Sequence, residues 1–545
     1  LGKEIKVLGI SPAHDSSVCL YEDGKILKFL KEERLSKSKR DHRPILSLVE
    51  CLKDVSDVDI FVHAPAAEGS YDQFFEDWVH IVNKLCDVKI NIDSSSEHHL
   101  QHASLAFYNS GFDEAAVIVA DGAGSYIQGL QELESIFHAS YPDKFIPVYK
   151  NFQKKVNDAP KKPEYMKAFP SCEVDSNSSL GIVSLYCSGT VLIGQNPLEN
   201  GKTMGLSSYG TESGMPDFIL NNSNLIDGNY FIGDSGGAPL YKEYFFSKVA
   251  DVTENNYLLY ANYAYHLQKQ TEIAMEYLIN KAIEKTGLKN ICITGGYGLN
   301  IIANARFIKN FPGINFYFEP IADDSGNSIG SAMLEYRRAT KDTEIKPIKD
   351  TFFHGERHNL VIDGSVQVEY AEIVRMLDQQ KTVAMYYKLA EAGPRALGHR
   401  SILFDARNVN AKQIVNLVKK REWYRPFAAA CLEEDAHKYF ELYDNPGYEF
   451  MTINTDANEL AKKEIPGVLH VDNTCRIQII KNTEEPLFQL LKEFKKLTGV
   501  GILLNTSFNL AGEALVETPD DAVKTFNESE LDCLWFPEIS RALVK

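Results

Sequence analysis

The pattern that most limits the fold is a strand–turn–strand unit that occurs twice. The first copy is "IKVLGISPAHDSSVCLYEDGKILKFL": an apolar strand, a polar turn, an alternating strand, a hairpin signal at Asp23-Gly24, and a third, alternating strand. The second copy starts about a hundred residues later, at "AAVIVADGAGSYIQGLQEL". There a buried strand ends at Asp121 and a Gly-containing turn leads into the next strand. Such self-similarity predicts a duplicated α/β domain. The helical stretch "LLYANYAYHLQKQTEIAMEYLINKAIEKTG" follows, with apolar residues at three- and four-residue spacing and a terminal Gly. "NICITGGYGLNIIANARFIKN" and "INFYFEPIADDSGNSIGSAMLEYRRA" then each read as strand, Gly-containing loop and helix. Residues 341–359 are polar without sustained periodicity and are the expected linker. The predicted domains are therefore 1–340 and 360–545, the second again mixed α/β.

Size and composition agree with this. A chain of 545 residues is too long for one ordinary domain, and 44% apolar with 24% charged residues is usual for large globular cores. No run of about 18 apolar residues occurs, so no membrane helix is expected. The first residues have a short apolar core that reads as a strand, not as a secretory leader. The nine cysteines are scattered without a C-x-x-C, which fits free thiols in a reducing cytoplasm. A net charge of −18 leaves no overall basic footprint for nucleic acid. Two local tracts, 36–43 and 149–167, mix basic and aromatic residues as single-strand contacts would. Solvated charged loops would look the same.

"EHHLQHAS" places His98 and His102 on one helical face, while His99 points elsewhere. An i,i+4 histidine pair can occupy two sites on one metal ion. On its own the pair is more often a helix with surface or capped histidines. Asp121 and Asp324 follow apolar strands, where side chains of open α/β sheets reach ligands; each could equally be a turn or capping residue. Two His and two Asp would suit iron, manganese or zinc. His14, in the first turn, is a candidate general base or a hydrogen-bonded turn residue. "ENGKTMGLSSYG" and "ITGGYGLN" are Gly-rich without being P-loops, and together in a duplicated frame they favour nucleotide binding. In the C-terminal half, Arg395, Arg400, Lys419, Arg421, Arg425 and Arg476 lie among Gly, Pro and aromatic residues instead of on charged helix faces. That set predicts an anion pocket for a small phosphorylated substrate, which "LLNTSFN", with Asn505 and Ser507, would complete.

Ten motifs in order, "HDSSVCLYEDGKI", "EERLSKSK", "HHLQHAS", "VADGAGS", "GKTMGLSSYG", "TGGYGLN", "ADDSGNSIG", "EAGPRALGHRS", "VKKREWYRPF" and "LLNTSFN", resemble the O-carbamoyltransferase family of nodulation-factor and antibiotic biosynthesis. The resemblance covers nearly the whole chain. It implies a duplicated actin/sugar-kinase-like (RNase H-like) N-terminal domain, similar to tRNA threonylcarbamoyl-transferases. It also implies a mixed α/β C-terminal domain like threonylcarbamoyl-AMP synthases. The implied chemistry forms carbamoyladenylate from carbamoyl phosphate and ATP, with Mg accompanying ATP, and then transfers the carbamoyl group to a hydroxyl. Carried over by motif, His98, His102, Asp121 and Asp324 match metal ligands, iron first with manganese and zinc as alternatives. His14 matches the catalytic histidine. Lys39, Lys202, Gly205, Gly295, Gly296 and Asn300 match nucleotide-site positions. Arg395, Lys419, Arg425 and Arg476 match the carbamoyl phosphate pocket. The family's Gly-Arg before Glu-x-Gly-Pro-Arg is Lys388-Leu389 here, so Lys388 is expected to supply that cation, and the region 132–178 is longer than the family pattern. The expected acceptor is a small hydroxylated molecule such as a sugar. The alternatives are a hydroxymethylated pyrimidine in nucleotide or DNA, and tRNA threonylcarbamoylation. A non-catalytic nucleotide-binding regulator is disfavoured by the intact His14 and ligand set. A homodimer is the expected assembly.

Overall fold

The computed structural model describes residues 5–65, 75–156, 158–177, 180–214, 252–253, 255–347 and 352–545. The chain divides into two compact units, Leu1–Glu32 with Arg40–Thr351, and Glu33–Lys39 with Phe352–Lys545. Residues 348–351 of the expected linker lie outside the described residues.

The first unit contains the duplication. One sheet is built from β1 (Lys6–Ser11), β2 (Ser17–Glu22), β3 (Lys25–Lys31), β4 (Asp57–His63) and β5 (Asp87–Asp93), in the order β3-β2-β1-β4-β5. Antiparallel pairing joins β3, β2 and β1, and parallel pairing joins β1, β4 and β5. The second sheet contains β6 (Glu114–Ala120), β7 (Tyr126–Ile127), β8 (Leu130–Ser140), β9 (Lys144–Lys154), β10 (Glu173–Asn177), β11 (Asn290–Thr294) and β12 (Asn315–Phe318). Its order β9-β8-β6-β11-β12 repeats the first sheet in both sequence and strand direction, with β10 added at the β9 edge and β7 paired to β8. This is the duplicated actin/sugar-kinase-like arrangement. The β2–β3 turn forms because Asp23 and Gly24 both take positive φ, 48° and 78°, the geometry of a two-residue hairpin.

Two helices lie next to the strand ends. The helix His98–Ser110 is buried on nearly every side, which explains its weak amphipathic pattern, and it ends at Gly111 with φ 77°. The helix Asn327–Thr340 crosses it where Gly330 has no side chain; a Cβ there would stand 2.1 Å from the Gln101 carbonyl oxygen. This close approach sets the turn before Asn327, which carries Asp324, beside the histidine helix.

The second unit is a ten-stranded mixed sheet. Val383–Tyr386 pairs in parallel with Cys533–Phe536 and antiparallel with Arg400–Asp405. Ile502–Ser507 lies antiparallel to both Arg400–Asp405 and Ala428–Leu432, and the latter runs parallel to Thr474–Ile480. Its core gathers Leu377, Leu403, Leu490, Phe494 and Trp535. The segment Glu33–Lys39, which falls within the expected 1–340 domain, groups with this unit. Arg34 donates to the Gly393 carbonyl at 3.4 Å and faces Glu517 at 3.9 Å, while Lys37 pairs with Asp521. Among the described residues no helix is long and apolar enough to cross a membrane.

Candidate functional site

In the first unit, strand ends and helix starts bring four side chains together. His98 and His102 come from the buried helix, Asp121 follows β6, and Asp324 opens a short 3-10 turn after β12. Their ligand atoms all lie within 4.8 Å of one another. His98 Nε2 is 3.3 Å from Asp121 and 3.7 Å from Asp324, and His102 Nε2 is 3.3 Å from Asp324. Donors held at about 2.0–2.2 Å from one ion stand roughly 3.0–3.5 Å apart, so this N/O set fits one divalent cation. The His98 ring donates from Nδ1 to the Pro65 carbonyl at 3.4 Å, which leaves Nε2 as the ligand nitrogen. Asp121 accepts the Gly296 N–H at 2.9 Å.

The electrostatics follow from this packing. Burial opposes charge on His98, but Asp121 and Asp324 outweigh it and bring the imidazole up to about 9. Burial would raise both carboxyls; the histidines reverse that and hold Asp121 and Asp324 below the usual carboxylate range. His99 shares neither partner: its Nδ1 meets Ser135 Oγ at 2.7 Å, and burial pushes it down to about 3. His14 stands at the rim with a side chain 44% exposed, Nδ1 3.3 Å from Asp324 and Nε2 3.4 Å from Asp15. Burial of the ring works against its charge, yet these carboxylates raise it.

The Gly-rich and lysine candidates separate. Gly295 and Gly296 follow β11 and adjoin the cluster through Asp121. Gly295 has φ 78°, and a Cβ on it would stand 2.4 Å from the Ala120 carbonyl oxygen. Gly295→Ala is therefore expected to destabilise the first unit by about 1–3 kcal/mol from conformation alone, with the Ala120 overlap added, visible as a lower thermal midpoint. Asn300 caps the helix Ile301–Asn310 and forms a two-way amide pair with Gln268. Gly205 is buried in the helix Asn200–Ser207, where Lys202 pairs with Glu199 at 2.9 Å and Gln195 at 3.1 Å. Lys39 lies in the second unit.

The second unit collects like charges. Lys419, Arg421 and Arg476 are each pushed well below their ordinary values, first by burial and then by neighbouring cations: Arg421, Arg425 and Lys39 act on Lys419, Arg425 and Arg476 on Arg421, and Arg395 and Arg425 on Arg476. Lys419 is held by the Ser507 and Asn509 carbonyls, by Ser507 Oγ at 3.3 Å and by Asn509 Oδ1 at 3.1 Å. The Arg476 Nε is buried without a hydrogen-bond partner. Such a set favours a polyanion. Three expected members have protein partners of their own. Arg400 gives its guanidinium to the carbonyls of Tyr387 at 2.6 Å, Lys388 at 2.9 Å and Glu517 at 3.2 Å, over the Tyr386 ring; it braces the fold. Asn505 donates to Ala396 O and Gln478 Oε1. Lys388 lies over the Tyr387 ring at 4.8 Å. Sequence reasoning missed Glu391. This buried carboxylate accepts the N–H groups of Leu397, His399 and Arg400 at 2.7, 2.9 and 3.2 Å, closing the loop that carries Arg395. Its place at the head of "EAGPRALGHRS" was the available signal.

In the basic and aromatic tract 149–167 the two ends differ: Lys155, Lys161, Tyr165 and Lys167 are exposed, and the first residues are interior. Tyr149 and Phe152 are fully buried, and Lys150 pairs with buried Glu132. In the other tract Arg40 donates to the Leu198 carbonyl at 2.6 Å.

Comparison with known proteins adds an independent line. Residues 68–333 match a family model described as the carbamoyltransferase N-terminus, and residues 374–541 match one described as the carbamoyltransferase C-terminus. Nodulation protein NolNO of Sinorhizobium fredii is 28% identical over 96% of this chain and 78% of its own length. An uncharacterized protein of Synechocystis is 29% identical over 97% of this chain and 95% of its own. Among solved structures, full-length HypF in its phosphate- and nucleotide-bound form aligns with a TM-score of 0.39 at 13% identity, covering 62% of this chain and 56% of that one.

Proposed function

The chain belongs to the carbamoyltransferase family, and from that premise we propose that it is an ATP-dependent O-carbamoyltransferase acting on a hydroxyl of a small molecule such as a sugar. The observation that carries this reading is the convergence of His98, His102, Asp121 and Asp324 beside an accessible His14. In the first stage, carbamoyl phosphate yields carbamate and phosphate with water. Carbamate then attacks the α-phosphorus of ATP, giving carbamoyladenylate and pyrophosphate. Arg395, Lys419, Arg425 and Arg476, with Lys39, provide the cationic surroundings that both phosphorylated substrates need. Adenylation is required because a bare carbamate is a poor electrophile.

In the second stage the acceptor oxygen bonds to the carbamoyl carbon and the bond to AMP breaks, the electron pair leaving with AMP. His14 takes the hydroxyl proton on a ring nitrogen, and its contact with Asp324 fixes the ring. The ligand set would hold a divalent ion, iron first, which when bound supplies positive charge against the leaving phosphate. Gly295 and Gly296, beside Asp121, offer backbone without side chains for approach of the adenylate. The small-molecule acceptor is favoured over a DNA base by the net charge of −18, which gives no overall basic footprint for nucleic acid.

Incubation with ATP, Mg and radiolabelled carbamoyl phosphate tests the donor stage. Pyrophosphate release dependent on carbamoyl phosphate is expected, followed by AMP and a labelled product once a hydroxyl acceptor is added. Absence of both AMP and pyrophosphate under all conditions would sink the reading.

A further inference from the structure

The two elements that carry His98 and Asp121 are joined by a side-chain relay outside the ligand set. The helix His98–Ser110 begins after Glu97, whose side chain makes no capping hydrogen bond. The first N–H groups of a helix need partners from elsewhere. Here the His98 N–H donates to Ser125 Oγ at 3.1 Å, and Ser125 in turn donates to the Ser95 carbonyl at 3.0 Å. Ser125 ends the loop that follows Asp121, and it is fully buried. Its own N–H donates to the Glu132 carboxylate on β8 at 3.1 Å, while the Glu132 backbone pairs with Gly124 and Ser125. The other Glu132 oxygen accepts from Lys150 on β9 and from the Tyr165 hydroxyl at 3.4 Å. Both acid and lysine are buried. Burial would raise the Glu132 carboxyl, but Lys150 and the His99 ring bring it down to about 2, so it stays charged. Gly124 leaves no slack, since a Cβ there would stand 2.4 Å from His99 Nε2 and 2.6 Å from Glu132 Cβ.

We propose that Ser125 and Glu132 are positioning residues for the metal centre, fixing the first turn that carries His98 against the loop that carries Asp121. The proposal rests on the metal reading above. It also gives a role to the long region 132–178: Lys150 and Tyr165 reach inward and hold Glu132 in place. Ligands held by a second layer of hydrogen bonds lose about 10–100-fold in metal affinity when that layer is removed.

Cobalt(II) serves as the probe, with affinity measured by chelator competition and geometry by the visible ligand-field spectrum. Ser125→Ala is expected to weaken cobalt binding by about 10–100-fold and to change the spectrum. Glu132→Gln, which also strands buried Lys150, should do the same, and Glu132→Gln with Lys150→Met should recover fold stability without recovering affinity. Ser135→Ala is the matched control. It removes a buried hydrogen bond to His99 on the same helix but touches neither ligand-bearing backbone, and should shift affinity less than about twofold. Thermal unfolding of the metal-free variants identifies simple loss of fold. Wild-type affinity in Ser125→Ala, or an equal loss in Ser135→Ala, would overturn the positioning role. If the wild-type chain bound no cobalt, or bound it equally with both ligand histidines replaced, the metal reading would fall and this inference with it.

Discussion

Replacing His98 and His102 together by Ala is expected to abolish metal binding and to reduce carbamoyl transfer by roughly 100–1,000-fold, the scale of losing a preorganised charge-stabilising group, while pyrophosphate release from ATP and carbamoyl phosphate continues. The division follows from where the groups lie. Both histidines belong to the first unit, and the cation set of Lys419, Arg421, Arg425 and Arg476 belongs to the second. The double variant also removes the histidines that lower Asp121 and two of the three that lower Asp324, with His14 retained, leaving two buried carboxylates close together. A lower melting temperature is therefore expected, and circular dichroism must establish that the fold persists at the assay temperature. His102→Gln is the milder companion, retaining bulk and a polar tip while removing one nitrogen ligand. Loss of pyrophosphate release and transfer together, in folded protein, would refute the separation of the two stages.

Local pattern carried much of this architecture. Asp23-Gly24 between alternating runs specified the β2–β3 hairpin because few dipeptides tolerate two positive φ angles. The apolar runs ending at Asp121 and near Asp324 marked strand ends, and i,i+4 spacing placed His98 and His102 on one face. What local pattern cannot encode is the partner of a buried charge. Lys37 pairs with Asp521, 484 positions away, so the segment Glu33–Lys39 read as part of the first unit. Lys150 in "YKNFQKK" looked like a displayed cation, because nothing in the stretch reveals that β8 supplies Glu132 for it. Arg400 looked like its neighbours Arg395 and Arg425; only the fold shows that backbone carbonyls take both of its terminal guanidinium nitrogens. Ser125 was invisible for the same reason. Its hydroxyl caps a helix that starts 27 residues earlier, where a capping search along the chain does not reach.

Arg476→Met should make the ligand-free protein more stable and its donor chemistry far slower. Arg476 faces Arg395 and Arg425, and burial together with this repulsion works against its charge. Removing one such cation in favour of an apolar side chain of similar length relieves desolvation and repulsion, as substitutions at strained functional sites often do. The expected rise in the melting temperature of the ligand-free chain is about 2–4 °C. Carbamoyl phosphate or pyrophosphate should raise the wild-type midpoint by mass action, and that increment should vanish in the variant, with pyrophosphate release falling at least about 100-fold. The pH dependence has a matching sign. Lys419 releases its proton well below 10.5 when folded, whereas the unfolded chain holds it to about 10.5. Across that window the unfolded state binds more protons, so the stability of the ligand-free protein rises with pH. A bound polyanion, which favours the charged lysine, should flatten that slope. An Arg476→Met protein that melts lower than wild type yet keeps the full ligand-induced shift would show that these cations form a structural network and not an anion pocket.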